Sequence, residues 1–221
     1  MIGVLLSFGF VFLVIGVATL FDKLNVFNDE GSRKFIHIGV ANWWIVAMLV
    51  FAPEDYLWAI IPPATFIVLN YLSYRFNLIK SMERDEQSAN DLGTVWYAVS
   101  LLIVTFIAFY SASLEASHWL FHSDALRIGA LSILAMGYGD GLSAVLGKHI
   151  PSRKLYGNKS LVGSLTMLVA TLTIALILFP SLWFIMVLVA IAATLIELFT
   201  PKGLDNLSVP LILFLLLMVI L

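Results

Sequence analysis

The chain has 221 residues, 61% of them hydrophobic and only 12% charged, where a water-soluble domain of this size carries roughly 25% charged residues. Most of its surface is therefore matched to hydrocarbon, and a net charge of −2 gives nucleic acid no electrostatic footing. With no cysteine in the chain, disulfides, thiolate metal sites and a cysteine nucleophile are excluded.

In chain order, apolar runs of the length that crosses a bilayer, roughly 20 residues, fall near 2–21, 36–52, 56–74, 93–111, 125–147, 161–179, 181–199 and 204–221. The expected fold is all-α, a polytopic transmembrane helical protein of about eight spans forming one integral membrane domain over residues 1–221. Seven spans with one re-entrant segment is the alternative. No basic stretch precedes the first run and no small-residue cleavage site follows it, so it reads as a retained helix.

The second run opens with Glu30-Gly-Ser-Arg33-Lys34-Phe-Ile-His37. Glu30, Arg33, Lys34 and His37 stand at i, i+3, i+4 and i+7, one face of a helix. A flank whose cations snorkel to headgroups has a similar pattern, but His37 lies about two turns inside the helix start. After the third run come Asp85, Glu86 and Asp91, ahead of Gly93-Thr94-Val95-Trp96-Tyr97. Asp91 is weighted above the other two loop acids.

The fifth run contains Met136-Gly137-Tyr138-Gly139-Asp140-Gly141. On a regular helix Asp140 lies about 12 Å from the end at Lys148. A carboxylate at that depth is costly and faces a protein cavity. The glycines permit a broken or a closely approached backbone. Together they suit a carboxylate that holds a metal or a reacting hydroxyl; the structural alternative is a packing seam.

Next comes Tyr156-Gly-Asn158-Lys159-Ser160-Leu-Val-Gly163-Ser164, polar residues leading into the sixth run. A helix N-terminus there offers free N–H groups to a phosphate, Lys159 adds a point charge, and Ser160 suits an N-cap or a metal shell. The spacing is not that of a P-loop. The seventh run ends at Glu197, and Leu204-Asp205-Asn206 opens the eighth.

Every Lys and Arg except Arg127 lies in a connection that follows an odd-numbered run or at its edge. The positive-inside rule puts those connections in the cytoplasm and both termini on the other side. The polar clusters then share the cytoplasmic face. Inward carboxylates, a lysine and a helix N-terminus are the parts that phosphoryl transfer needs, with a hard cation. An acceptor at bilayer depth points to a lipid alcohol. A small transporter is the reading from another class; the absence of an internal repeat and the crowding of functional groups on one face disfavour it.

The segments EGSRKFIHIG, DLGTVWY, MGYGDGLSAVLGK, YGNKSLVGS and ELFTPKGLDNLSVP together resemble the polyprenol kinase family, which includes dolichol, phytol and farnesol kinases and a CTP-dependent diacylglycerol kinase. GDG around Asp140 and GTVWY make the chain most similar to the phytol kinase branch. The resemblance implies CTP-dependent, Mg²⁺-assisted phosphorylation of a membrane isoprenoid alcohol, such as phytol or geranylgeraniol, at the cytoplasmic face. Diacylglycerol kinase and CTP–lipid cytidylyltransferase are the near alternatives. Roles assigned at the matching positions are catalytic for Asp140, Lys159 and His37, and metal-binding for Asp140, Glu197 and Asp91. Nucleotide binding falls to Arg33, Lys34, Lys148, Lys159, Ser160, Gly163, Asp205 and Asn206. The expected partners are the lipid alcohol, the nucleotide and membrane lipids, in a setting that short loops and the lack of a transit segment place in a prokaryotic plasma membrane. Oligomeric state is left open.

Overall fold

The computed structural model describes residues 1–26, 29–76, 92–114, 123–201 and 203–221, with backbone alone at Asp29 and Glu30. The helices are α1 (Ile2–Lys23), α2 (Asp29–Val50), α3 (Tyr56–Ala59), α4 (Ile61–Phe76), α5 (Gly93–Leu114), α6 (Asp124–His149), α7 (Leu161–Leu178), α8 (Trp183–Phe199) and α9 (Asp205–Ile220). Single 3-10 turns at Pro53–Asp55 and Pro180–Leu182 lead into α3 and α8. Among the described residues six helical stretches are long and apolar enough to cross a membrane: α1, Pro53–Phe76, α5, α6, α7 and Pro180–Phe199. The 16-residue α9 is apolar but shorter, and α2 carries Asp29, Glu30, Arg33 and Lys34 in its first two turns.

α6 is the central post. It packs against α7, α2, α9 and α5, while α1 leans on α2, α4 on α5, and α8 on α7 and α9. Its first four turns are buried almost without interruption, from Ala125 to Gly137. The outer helices show the reverse. Leu5, Leu13, Val169, Ile177, Phe184 and Val219 are all more than 45% exposed, as lipid-facing side chains must be when hydrocarbon is the solvent.

The glycines of the fifth run explain how other helices reach α6. A Cβ at Gly137 would collide with Ala41, and one at Gly141 with Ile38, both on α2. A Cβ at Gly139 would strike Met167 of α7. Gly137 and Gly141 are four apart and so share a face; Gly139 points to the other side. The backbone through them stays regular to His149, so the close-approach expectation holds and the broken-helix one does not.

Two departures from the apolar-run reading have simple causes. The third run is two helices because Pro62 and Pro63 have no N–H to give the carbonyls of Trp58 and Ala59; α3 stops at Ala59 and α4 begins at Ile61. The polar stretch before the sixth run is a small antiparallel hairpin, β1 (Lys154–Tyr156) with β2 (Lys159–Ser160). Gly157 makes its turn at φ 54°, a value that glycine adopts freely.

Arg127, the cation outside the charge pattern, has a structural role. It donates to the carbonyl of Leu178 at the end of α7, pairs with Asp124 at 3.0 Å, and lies 4.3 Å over the Phe179 ring. Orphan carbonyls and the negative pole of a helix C-terminus both favour a cation there.

Candidate active site

α2 and α6 are clamped together by the glycine seam, and this puts Lys34 and His37 level with Asp140. Lys34 Nζ donates to Asp140 Oδ2 at 2.5 Å, and His37 Nε2 lies 3.7 Å from the same oxygen. The pair is largely enclosed, with side-chain exposures of 9% and 15%. A lone carboxylate would be very costly there; a paired one is tolerated.

A second charged group faces the first. Lys159 extends from β2 to Glu197 Oε1 of α8 at 2.8 Å and Asp205 Oδ2 of α9 at 3.5 Å. It also donates to the Glu197 carbonyl and, at 3.2 Å, to that of Thr200. Asp205 holds its own bend, accepting from the Gly203 and Asn206 amides at 2.9 and 3.1 Å. Both groups line one cavity of about 290 Å³ with Lys148, Asn158, Ser143, Ser160 and Ser164. Lys34, Asp140, Lys159, Glu197 and Asp205 thus come from five separate elements.

Several expected site residues are placed differently. The α7 N-terminus does not present free amides. Leu161 N–H donates to the Arg153 carbonyl at 2.9 Å, Val162 N–H to Ser152 Oγ at 3.1 Å, and Gly163 N–H to Ser160 Oγ at 3.2 Å. Ser160 is therefore an N-cap, and Gly163, which with Ser160 also lines the cavity, lets α7 approach α6 at Ser143 and Gly147. Asn206 does not line the cavity; its amide donates to the Gly93 carbonyl at 2.9 Å and ties α9 to α5. Arg33 faces a different space, together with His37. Asp91, Asp85, Glu86 and the side chain of Glu30 lie outside the described residues.

Ser143 and Ser164 carried no role in the sequence reading. Ser164 Oγ is buried, has no hydrogen-bond partner among the described residues, and belongs to the cavity wall. Ser143 is three residues from Asp140, so helical spacing from that one carboxylate finds it. Tyr97 was quoted only within a motif. Its ring stacks on His37 with centroids 4.3 Å apart, a contact between distant helices that no local pattern reveals.

The donors on the cavity wall are hard oxygens: three carboxylates and the serine hydroxyls. That set suits Mg²⁺, which takes one or two carboxylates and completes its shell with water and substrate phosphates. Among the described residues no three acids or histidines are close enough to hold an ion unaided.

A phytol kinase of Synechocystis sp. is 30% identical to this chain over 210 residues, covering 90% of the chain and 82% of the relative. The chain belongs to the phytol kinase family. The chloroplastic phytol kinase 1 of Arabidopsis thaliana is 29% identical over 214 residues, 86% of this chain and 66% of that protein. A probable phytol kinase 1 of Glycine max is 30% identical over 161 residues, 67% of this chain and 49% of that protein. No family model matches the chain, and no solved structure matches it. The phytol kinase resemblance expected from the motifs is borne out, and with it the reading of the chain as a kinase rather than a transporter.

Proposed function

We propose that the chain transfers the γ-phosphoryl group of CTP to the hydroxyl of a membrane isoprenoid alcohol, phytol or geranylgeraniol, with Mg²⁺. One observation carries the reading: in a chain of the phytol kinase family, Lys34, Asp140, Lys159, Glu197 and Asp205 converge from five elements on one cavity. A triphosphate and its cation bring charges of both signs, and the cavity already balances three lysines, Lys34, Lys148 and Lys159, with three acids.

In this mechanism the alcohol oxygen attacks the γ-phosphorus. The new O–P bond forms as the bond to the β,γ-bridging oxygen breaks, and CDP leaves. His37 Nε2 accepts the alcohol proton. A Mg²⁺ arriving with the nucleotide would take one or two of the carboxylates of Asp140, Glu197 and Asp205 and would neutralise phosphate charge. Lys34, Lys148 and Lys159 face the phosphates, and the Ser164 hydroxyl donates to one of them. The protein's contribution is placement and charge, which is most of what phosphoryl transfer requires.

The same reading gives the chain eight spans, the six long apolar stretches with α2 and α9 added, both termini outside, and the cavity open to the cytoplasm of a prokaryotic plasma membrane. The cations after α1, α4, α6 and α8 support that orientation.

The test is incorporation of label into lipid by the purified protein with Mg²⁺ and CTP labelled on the γ or the α phosphate. The acceptors offered are phytol, geranylgeraniol, farnesol, diacylglycerol and a lipid phosphate. Label from the γ position in an isoprenoid product, lost in Asp140→Asn, is the expected result. Label from the α position means cytidylyl transfer, and label in neither form overturns the reading.

A further inference from the structure

On the far side of the Lys34–Asp140 pair, His37 faces a second space. This is a narrow apolar slot of about 60 Å³ walled by α1, α2, α4 and α5, with Val11, Val40, Phe66, Ala98 and Leu101 among its lining. Its polar groups gather at the end where Arg33, His37, Asn70, Thr94 and Tyr97 lie. Trp43, six residues beyond His37 and so about 9 Å further along α2, forms the deep end, its indole Nε1 also without a hydrogen-bond partner among the described residues.

Two atoms at the polar end are incomplete. The Met136 backbone hydrogen-bonds the His37 imidazole, and Nε2 is left buried with no hydrogen-bond partner among the described residues. Tyr97 Oη, on the ring stacked against His37, is likewise buried and unpartnered. Buried polar atoms without partners are uncommon in native proteins and call for an explanation. A hydroxyl has one proton to donate and lone pairs to accept with. Placed between them it donates to His37 Nε2 and accepts from Tyr97 Oη, completing both.

We infer that this slot binds the hydroxyl end of the acceptor, with His37 Nε2 and Tyr97 Oη holding the hydroxyl and the first carbons of a single isoprenoid chain running toward Trp43. The inference rests on the kinase reading and adds to it the place where the acceptor enters. The slot admits one slim chain and not the branched head of a diacylglycerol, and the hydroxyl it holds is within reach of Asp140 across His37. A shallow apolar groove between α6 and α7, lined by Leu142, Leu165 and Val169, is the rival location. It has no histidine, carboxylate, lysine or arginine, and its polar lining is confined to Tyr138, Thr166 and Thr173.

The full chain in detergent is irradiated with a diazirine-bearing geranylgeraniol, and the adducts are located by mass spectrometry. Adducts at Val40, Ala98 or Leu101 are expected; adducts confined to the α6–α7 groove, or none, overturn the inference. In parallel, Ala98→Trp is expected to raise KM for the alcohol at least about tenfold, a loss of about 1.4 kcal/mol, with KM for nucleotide unchanged. Tyr97→Phe, which keeps the ring, is expected to raise the alcohol KM several-fold; an unchanged value overturns the hydroxyl assignment. A chain that transfers γ-phosphate but labels elsewhere loses the slot and keeps the kinase. A chain that labels in the slot but transfers no phosphate keeps the alcohol site and loses the kinase.

Discussion

Lys34 and Asp140 share one short ion pair in a setting that is mostly closed to water, and their interdependence is measurable. Removing one partner leaves the other charge buried, which costs about 3–5 kcal/mol, whereas replacing both by apolar groups is close to neutral. Lys34→Met is therefore expected to lower Tm well below that of the native protein, and Lys34→Met with Asp140→Leu to recover most of the loss. Both are expected to be inactive. A double variant less stable than the single one would contradict the pairing. Ser164→Ala tests the cavity from another side: removing an unpartnered buried hydroxyl leaves Tm unchanged or higher, while KM for the nucleotide rises. No change in that KM would remove Ser164 from the phosphate site.

Helix by helix, the glycine seam has graded consequences. Gly137→Ala meets Ala41, whose Cβ is fixed to the α2 backbone, so the helices themselves must separate. Gly141→Ala meets the outer atoms of Ile38, which can turn aside. Overpacking of this kind costs about 1–3 kcal/mol, and thermal melts are expected to rank Gly137→Ala below Gly141→Ala. Because the seam also sets the height of Lys34 against Asp140, Gly137→Ala should lose activity before it loses helicity by circular dichroism. Equal Tm values for the two variants would show that α2 does not depend on this contact. Much of this was legible in the sequence. Asp140 stood out because a carboxylate deep in an apolar run demands a partner, and the glycines around it marked a close approach. The Lys34–His37 spacing named one helix face, but which of its residues would meet Asp140 depends on the rotation of α2 about its axis. That rotation is fixed by Ala41 and Ile38, which look like any apolar residues. The N-terminus of α7 misled for a related reason: the residues that occupy its amides, Ser152 and Arg153, come from the strand of chain just before the hairpin, and only the turn at Gly157 brings them back.

For the molecule as a whole, the absence of cysteine makes orientation accessible to experiment. Glu54 and Lys154 are both exposed, and the proposed topology puts them on opposite sides. A membrane-impermeant maleimide applied to intact cells is expected to label Glu54→Cys, and to reach Lys154→Cys only after lysis. The reverse pattern inverts the protein, and labelling of both from outside breaks the span assignment. The apolar runs marked nearly every helix because hydrocarbon demands length and apolarity, the properties most easily read from one dimension. The packing order around α6 was not readable, since lipid-facing and protein-facing surfaces are equally apolar and differ mainly in side-chain size.

α2 stands between the cavity and the slot, and the proposed reaction makes it a partition whose window is the contact of His37 with Asp140. A water-borne reagent and an oil-borne one meet there without either crossing into the other's phase. In the proposed reaction the product is amphiphilic, with its phosphate on the cavity side and its chain still on the slot side. Departure in either direction alone would drag one half through an unsuitable medium, so the phosphorylated lipid has to leave sideways, past the rim, with its head at the membrane surface and its tail in the leaflet. The spent nucleotide faces no such constraint. Two products made at one window thus depart by routes set at right angles, and slow lateral escape of the lipid, rather than bond making, becomes the step to watch in steady-state turnover.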